Sequence, residues 1–208
     1  MKWYWIKTSR LVKWLFPKYI WNLPTHEKIV FLTFDDGPMP EITPWVLDQL
    51  DAYQVKATFF CIGDNVQKHP EIYEEVIRRG HAIGNHTFNH LNGWKTATST
   101  YIENTIKWEE YAATQSVLFR PPYGKIKRSQ AQKLMQKGYK IIMWDVLSAD
   151  FDTSVSPEKC LSNVVNHLES GSIVVFHDSL KAFKNIQYAL PKTLQFLKEN
   201  GFVGVRID

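Results

Sequence analysis

The stretch KIVFLTFDDGP, residues 28–38, sets the reading of this chain. An apolar run from Ile29 to Phe34 stops at two adjacent carboxylates, Asp35 and Asp36, followed by a glycine and a proline. A short run that is apolar on both faces reads as a strand buried in a parallel sheet. Asp-Gly-Pro is turn chemistry and accounts for the stop. It does not account for a doubled acid. Two like charges side by side repel unless something of opposite charge offsets them or they face different partners.

Six further runs share this character: 56–61, 81–85, 117–120, 139–145, 172–177 and 202–206. Helix-period segments fall between them near 43–53, 66–79, 99–114, 128–137, 157–168 and 185–199. Gly80, Gly138, Gly171 and Gly201 each sit between a helix and the next strand, where glycine is the usual helix stop. Seven strands alternating with six helices make a βα series and hence a parallel sheet. No repeat, low-complexity tract or linker interrupts it.

Chemically active side chains gather just after the strands. Asp35 and Asp36 follow the first, His86 and His90 the third; Arg120 ends the fourth, with Tyr123 beyond it. Asp150 follows the fifth, and His177 with Asp178 closes the sixth. An open α/β sheet concentrates its site at one switch point, whereas a barrel draws on many strand ends. The expected fold is therefore α/β, an irregular (β/α)7 barrel in one catalytic domain over 26–208, preceded by a basic aromatic segment, 1–25.

HTFNH (86–90) carries His86 and His90 four apart, a spacing that on a helical turn aims both imidazoles one way. Two such histidines alone are weak evidence for a metal. A carboxylate converging from another strand end strengthens it, and two His with one Asp leave an open position, as catalytic sites do. Nitrogen and oxygen donors suit Zn²⁺, with Co²⁺ or Ni²⁺ as alternatives. On this reading one of the paired acids binds the cation and the other stays free as a base.

Together, TFDDG (33–37), HTFNH (86–90), RPPYG (120–124) and IVVFHD (173–178) resemble, in order, motifs one, two, three and five of the polysaccharide deacetylases, carbohydrate esterase family four. The resemblance implies that Asp35 is the general base and that Asp36, His86 and His90 hold the metal. It implies that Arg120 pairs with Asp35, that the Tyr123 backbone N–H binds the developing oxyanion, and that His177 is the general acid, braced by Asp150. Amide hydrolysis needs an activated water, an oxyanion stabiliser and a proton for the leaving amine, and this set supplies each. The fourth motif departs from the family's Asp-x-x-Asp-Trp: 147–151 reads Leu-Ser-Ala-Asp-Phe, keeping Asp150 but placing Leu147 and Phe151 in the groove wall. Val175 stands where the fifth motif has Leu. Trp94, just after the second motif, is a candidate to line the groove instead or to join the core.

The implied activity is removal of acetyl groups from N-acetylated amino sugars of chitin-oligomer or peptidoglycan-like glycans, releasing acetate. O-deacetylation of an acetylated sugar is the nearest alternative. A carbohydrate-binding scaffold with a decayed site is the alternative outside the enzyme class, and it should have lost Asp35, Arg120 or His177.

The chain's 208 residues, 44% apolar and 22% charged, suit a globular domain with a real core, and its eight Trp are mainly core candidates. A net charge of +4 is too small and too local for a nucleic-acid surface. Its basic excess lies in the first 25 residues, where Lys2, Lys7, Arg10, Lys13 and Lys18 alternate with Trp3, Tyr4, Trp5, Leu11, Trp14 and Phe16 and no acid occurs. The favoured reading is a helix packed beneath the barrel; peripheral membrane contact is the second. No transmembrane-length run or cleavable signal peptide is visible, which points to the cytoplasm or a membrane surface rather than secretion. Cys61 reads as a buried thiol, and no CxxC suggests a thiolate site. The sequence does not fix an oligomeric state.

Overall fold

A computed structural model describes residues 5–113 and 115–208. Lys2, Trp3, Tyr4 and Thr114 lie outside it; the helix expected over 99–114 ends at Lys107 and passes into a 3-10 turn, Trp108–Glu110. Strands β1 (Ile29–Asp35), β2 (Thr58–Cys61), β3 (Ala82–Asn85), β4 (Leu118–Phe119), β5 (Lys140–Ile141), β6 (Val146–Leu147), β7 (Ile173–His177) and β8 (Val203–Gly204) pair in parallel. Seven run in the order β5-β4-β3-β2-β1-β7-β6, and β8 pairs with the start of β1. The two edge strands, β5 and β6, are joined by only residues 142–145, so the sheet must curl until its edges approach each other. The result is a half-barrel of the expected (β/α)7 type in a single domain. The strand read as 139–145 is thus divided: its first part pairs with β4, and the chain then crosses to pair with β7.

Helices α1 (Arg10–Leu15), α2 (Ile42–Ala52), α3 (Gly63–Lys68), α4 (Pro70–Arg78), α5 (Thr98–Lys107), α6 (Arg128–Gln136), α7 (Pro157–Val165) and α8 (Phe183–Glu199) complete the structure. The helix expected over 66–79 is two, α3 and α4. Pro70 lacks an N–H and its ring would clash with the carbonyl four residues back, so it starts a helix instead of continuing one. Gly80, Gly138, Gly171 and Gly201 all have positive φ, as their positions predict.

The strand period of two sorts β1. Val30, Leu32 and Phe34 belong to the cluster packed with Val46, Leu47 and Leu50 of α2 and Leu190 and Leu194 of α8. Phe31, Thr33 and Asp35 take the other face, toward the interior cluster of Phe60, Leu118, Ile142, Ile173 and Ile207. Asp35 pairs in register with His177 at the end of β7. Two groups expected to do chemistry are therefore lateral neighbours on one face.

Residues 5–24 run along the seam between the sheet edges. Ile20 takes a hydrogen bond from Met143 N–H (2.7 Å) and donates to Ile141 (2.8 Å), while Thr8 N–H donates to the Asp145 carbonyl (2.8 Å). Lys7 and Lys13 reach the buried Asp145 carboxylate at 2.6 and 2.7 Å, and Ser172 donates to it as well. Gly171 is needed at the foot of this strap: its φ is +83°, and a Cβ there would lie 2.3 Å from the Leu23 carbonyl oxygen. The expectation of buried strap tryptophans is not met. Trp5 is 62% and Trp14 73% exposed, because the strap turns lysines inward and tryptophans out.

Burial alone would raise the Asp145 carboxyl, but bonds from Lys13, Lys7 and Ser172 hold it below its ordinary range. Lys13→Met should lower stability by about 1.5–3 kcal/mol, the range for a hydrogen bond to a charged group. The loss should be present above about pH 4 and fade as acid protonates Asp145. Urea unfolding at neutral and acid pH checks this, and an unchanged midpoint at neutral pH would refute it.

Candidate active site

The carboxyl ends of β1, β3, β4 and β7, with the chain beyond β6, meet in a groove of about 920 Å³ lined by Asp35, Asp36, His86, His90, Tyr123 and His177, among others. Its size is that of a small-ligand site.

Arg120 is fully buried. Its Nη1 donates to Asp35 Oδ1 and to Thr33 Oγ1, each at 2.7 Å, its Nη2 to the Met143 carbonyl at 3.0 Å, and its Nε to Ile142 at 3.3 Å. The guanidinium lies 4.1 Å from the centre of the Phe60 ring. A buried charge with every face occupied is held in one geometry, and so is the carboxylate it grips.

Asp36 turns elsewhere. Its Oδ1 lies 3.2 Å from His90 Nε2 and 3.7 Å from His86 Nε2, and the three donor atoms fall within 4.8 Å of one another. His86 Nδ1 is 2.8 Å from the Arg120 carbonyl. That contact assigns the Nδ1 proton and leaves Nε2 as a free donor, the outer bond that fixes a metal-binding histidine. Burial lowers His86 to about 4, so its imidazole is neutral, as a ligand must be. Burial works against the Asp36 carboxylate, yet the bond to His90 and the fields of His177 and His86 carry it well below its usual range. Two neutral-capable imidazoles and one carboxylate fit a divalent cation with an open position. The adjacent acids thus serve different partners.

The helical turn expected for His86 and His90 is not there. Residues 86–90 form an irregular loop, with φ of +62° at Thr87 and +55° at His90. Thr87 N–H bonds to the Asn85 side chain at 2.8 Å, and Asn104 takes the N–H groups of Phe88 and Asn89. Those side chains offer the backbone an alternative to a helix. The imidazoles still converge, with ring centres 5.1 Å apart.

Asp150 braces His177 twice, accepting from its backbone N–H and contacting its Nδ1, both at 2.8 Å. Burial would lower His177, but the Asp150 charge and bond, with Asp36 and Asp35 beyond, push it up to about 9. Its imidazole therefore carries a proton at neutral pH. Tyr123 occupies a tight turn with φ of +62°, and its ring packs on His90 with centres 4.6 Å apart. Six of the eight expected residues line the groove, and the other two, Arg120 and Asp150, are buried behind it, each holding a lining residue.

Leu147, Phe151 and Val175, the departures from the fourth and fifth motifs, line the groove together. The Phe151 ring stands edge-on to His177 at 5.0 Å. Trp94 is in neither expected place: it is 61% exposed, under Lys125 and outside the groove lining. The groove's tryptophan is Trp144, where the divided strand turns between sheet edges, close enough to Gly124 that a Cβ there would be 2.6 Å from its ring. Only its place near a strand end signalled it. Asp178, the acid that closes the sixth strand beside His177, has a positioning task. Its carboxylate takes the Gly37 N–H (3.0 Å) and the Thr43 hydroxyl (2.6 Å), pinning the turn behind Asp36. A Cβ on Gly37 would come within 2.0 Å of it, which explains the glycine of the first motif.

Comparison with known proteins agrees with this geometry. The family profile described as "Polysaccharide deacetylase" matches residues 22–142. A peptidoglycan-N-acetylglucosamine deacetylase of Bacillus cereus is 38% identical over 193 residues, covering 90% of each chain. A second B. cereus protein of the same name is 37% identical over 165 residues, 77% of this chain and 60% of its own length. The solved structure of a peptidoglycan N-acetylglucosamine deacetylase in complex with an N-oxidanyl-benzamide superposes with a TM-score of 0.85 at 32% identity, covering 94% of both chains. With its fold, its motif order and near full-length identity to such a relative in agreement, this chain belongs to the polysaccharide deacetylase family, carbohydrate esterase family four.

Proposed function

We propose that this protein is a Zn²⁺-dependent N-deacetylase of glycans carrying N-acetylglucosamine, hydrolysing the acetamide to a free amine and acetate. The observation that carries the reading is the division of labour at the end of β1: Asp36 faces two imidazoles while Asp35 is held by Arg120. When bound at Asp36, His86 and His90, a divalent cation would polarise the acetyl carbonyl and acidify a water. The rest is work for this chain's own groups. Asp35, fixed by Arg120 and open to the groove, takes the proton from the attacking water. The Tyr123 N–H faces the charge that develops on the carbonyl oxygen. His177, charged at neutral pH and with Nδ1 engaged by Asp150, delivers its Nε2 proton to the departing amine. Peptidoglycan is favoured over chitin as the polymer because the near full-length B. cereus relative is named for it.

A scaffold with a decayed site would not keep a buried Arg120–Asp35 pair, a braced His177 and an intact donor triad together. The test is acetate release from chitin oligomers, peptidoglycan fragments and acetylated xylan, with metal content measured on the same sample. Acetate from the first two and stoichiometric zinc is the expected result. Release from xylan alone would replace N-deacetylation by O-deacetylation, and full activity after exhaustive chelation would end the metal reading.

A pH profile tests the acid. Because His177 is needed protonated and its pKa is raised, turnover should fall on the alkaline side as pH passes about 9. Asp150→Asn removes the main raising partner and leaves burial in place, so this limb should move to lower pH. A limb that stays put in the variant would remove His177 from the role.

A further inference from the structure

The strap presents the reverse of ordinary amphipathicity. Leu11, Trp14 and Leu15 share one face of α1 by their three- and four-residue spacing, and they are 63%, 73% and 52% exposed. Lys13, on another face, points inward to Asp145. Trp5 adds a further exposed ring. Four of the nine exposed large apolar side chains among the described residues thus lie between positions 5 and 15. None of them lines the groove. A surface helix gains by burying such a face, and contiguous exposed apolar groups mark a contact site.

The charges around this face indicate what covers it. Lys7 and Lys13 are engaged by Asp145 and Glu169. Arg10 and Lys18 are exposed and have no ion pair among the described residues. No acid occurs in the first 25 residues to oppose them. Tryptophan and leucine beside uncompensated cations match an anionic lipid interface: the rings suit the headgroup boundary and the cations its negative charge. A second protein copy fits less well. Exposed Trp rings offer about 150–250 Å² each, and a patch of two Trp and two Leu falls short of the ~800 Å² per partner of a standard interface.

We infer that the outer face of α1, with Trp5, is a peripheral docking surface for anionic bilayers. The patch inserts shallowly, Arg10 and Lys18 hold phosphate headgroups, and the strap's clamp on Asp145 ties this contact to the barrel seam. The substrate groove shares no residue with the patch, so it stays open while the protein is docked. No described helix is long and apolar enough to cross a membrane.

The experiment is co-sedimentation of the full chain with vesicles of equal parts phosphatidylcholine and phosphatidylglycerol, beside pure phosphatidylcholine. Thermal melts confirm that each variant is folded. Binding is expected to the anionic vesicles at low ionic strength and to vanish near 1 M salt, where the Debye length is ~3 Å. Arg10→Gln and Lys18→Gln should each weaken it about fivefold, the worth of one charge near such a surface. The pair Trp14→Ser with Leu15→Ser should weaken it at least tenfold with an unchanged melt. Failure to bind anionic vesicles, equal binding to neutral ones, or binding undiminished in these variants would overturn the inference. So would a concentration-dependent dimer that Trp14→Ser abolishes, since a second copy would then own the patch.

Discussion

Arg120 and Asp35 meet at 2.7 Å inside the curled sheet, and neither side chain is open to bulk water beyond 5%. The guanidinium leaves the end of β4 and crosses to β1, donating to Thr33 on the way and to the carbonyls of Ile142 and Met143 at the divided strand. One side chain thus ties together β1, β4 and the run that joins the two sheet edges. Burying such a pair is expensive, and removing either partner would strand the other charge. The geometry makes sense as a device for fixing Asp35 in one position beside its neighbour Asp36, which must face another way.

That requirement shows in the backbone. Asp36, Thr87, His90, Tyr123 and Ala149 all have positive φ, and each is a site residue or next to one. Residues without a glycine's freedom hold this conformation at a cost, and the surroundings must impose it. For the first two motifs the imposing groups are visible: Asp178 on the Gly37 N–H, and Asn85 and Asn104 on the second-motif loop. The strained turns aim donors and acceptors that regular structure would point elsewhere. The rigid parallel sheet beneath supplies the anchor.

Much of this was legible in the chain. The strand ends, the helix-stopping glycines and the residues of the first three motifs and the fifth could be placed because each depends on local pattern or short spacing. The βα order brought one carboxylate of the Asp35–Asp36 pair toward His86 and His90, and the family resemblance singled out Asp36. What escaped depends on distant partners. Lys13 turns inward because Asp145, 132 positions away, is waiting for it, and the outward tryptophans follow from that. Trp144 becomes the groove's aromatic wall because the chain crosses there from one sheet edge to the other. The second motif reads as a helical turn by spacing, but asparagines from elsewhere claim its backbone. Pro70, by contrast, was a visible local signal that splits a helix.

The central claim is that the two adjacent aspartates have different tasks, and cation affinity separates them most directly. Zn²⁺ titration by calorimetry of the intact chain should give tight binding at one site. Asp35→Asn should leave that binding nearly intact, because Asp35 belongs to Arg120. Asp36→Asn should weaken it severely, because it removes the only carboxylate of the triad. Equal loss in both variants, or loss in Asp35→Asn alone, would contradict the account.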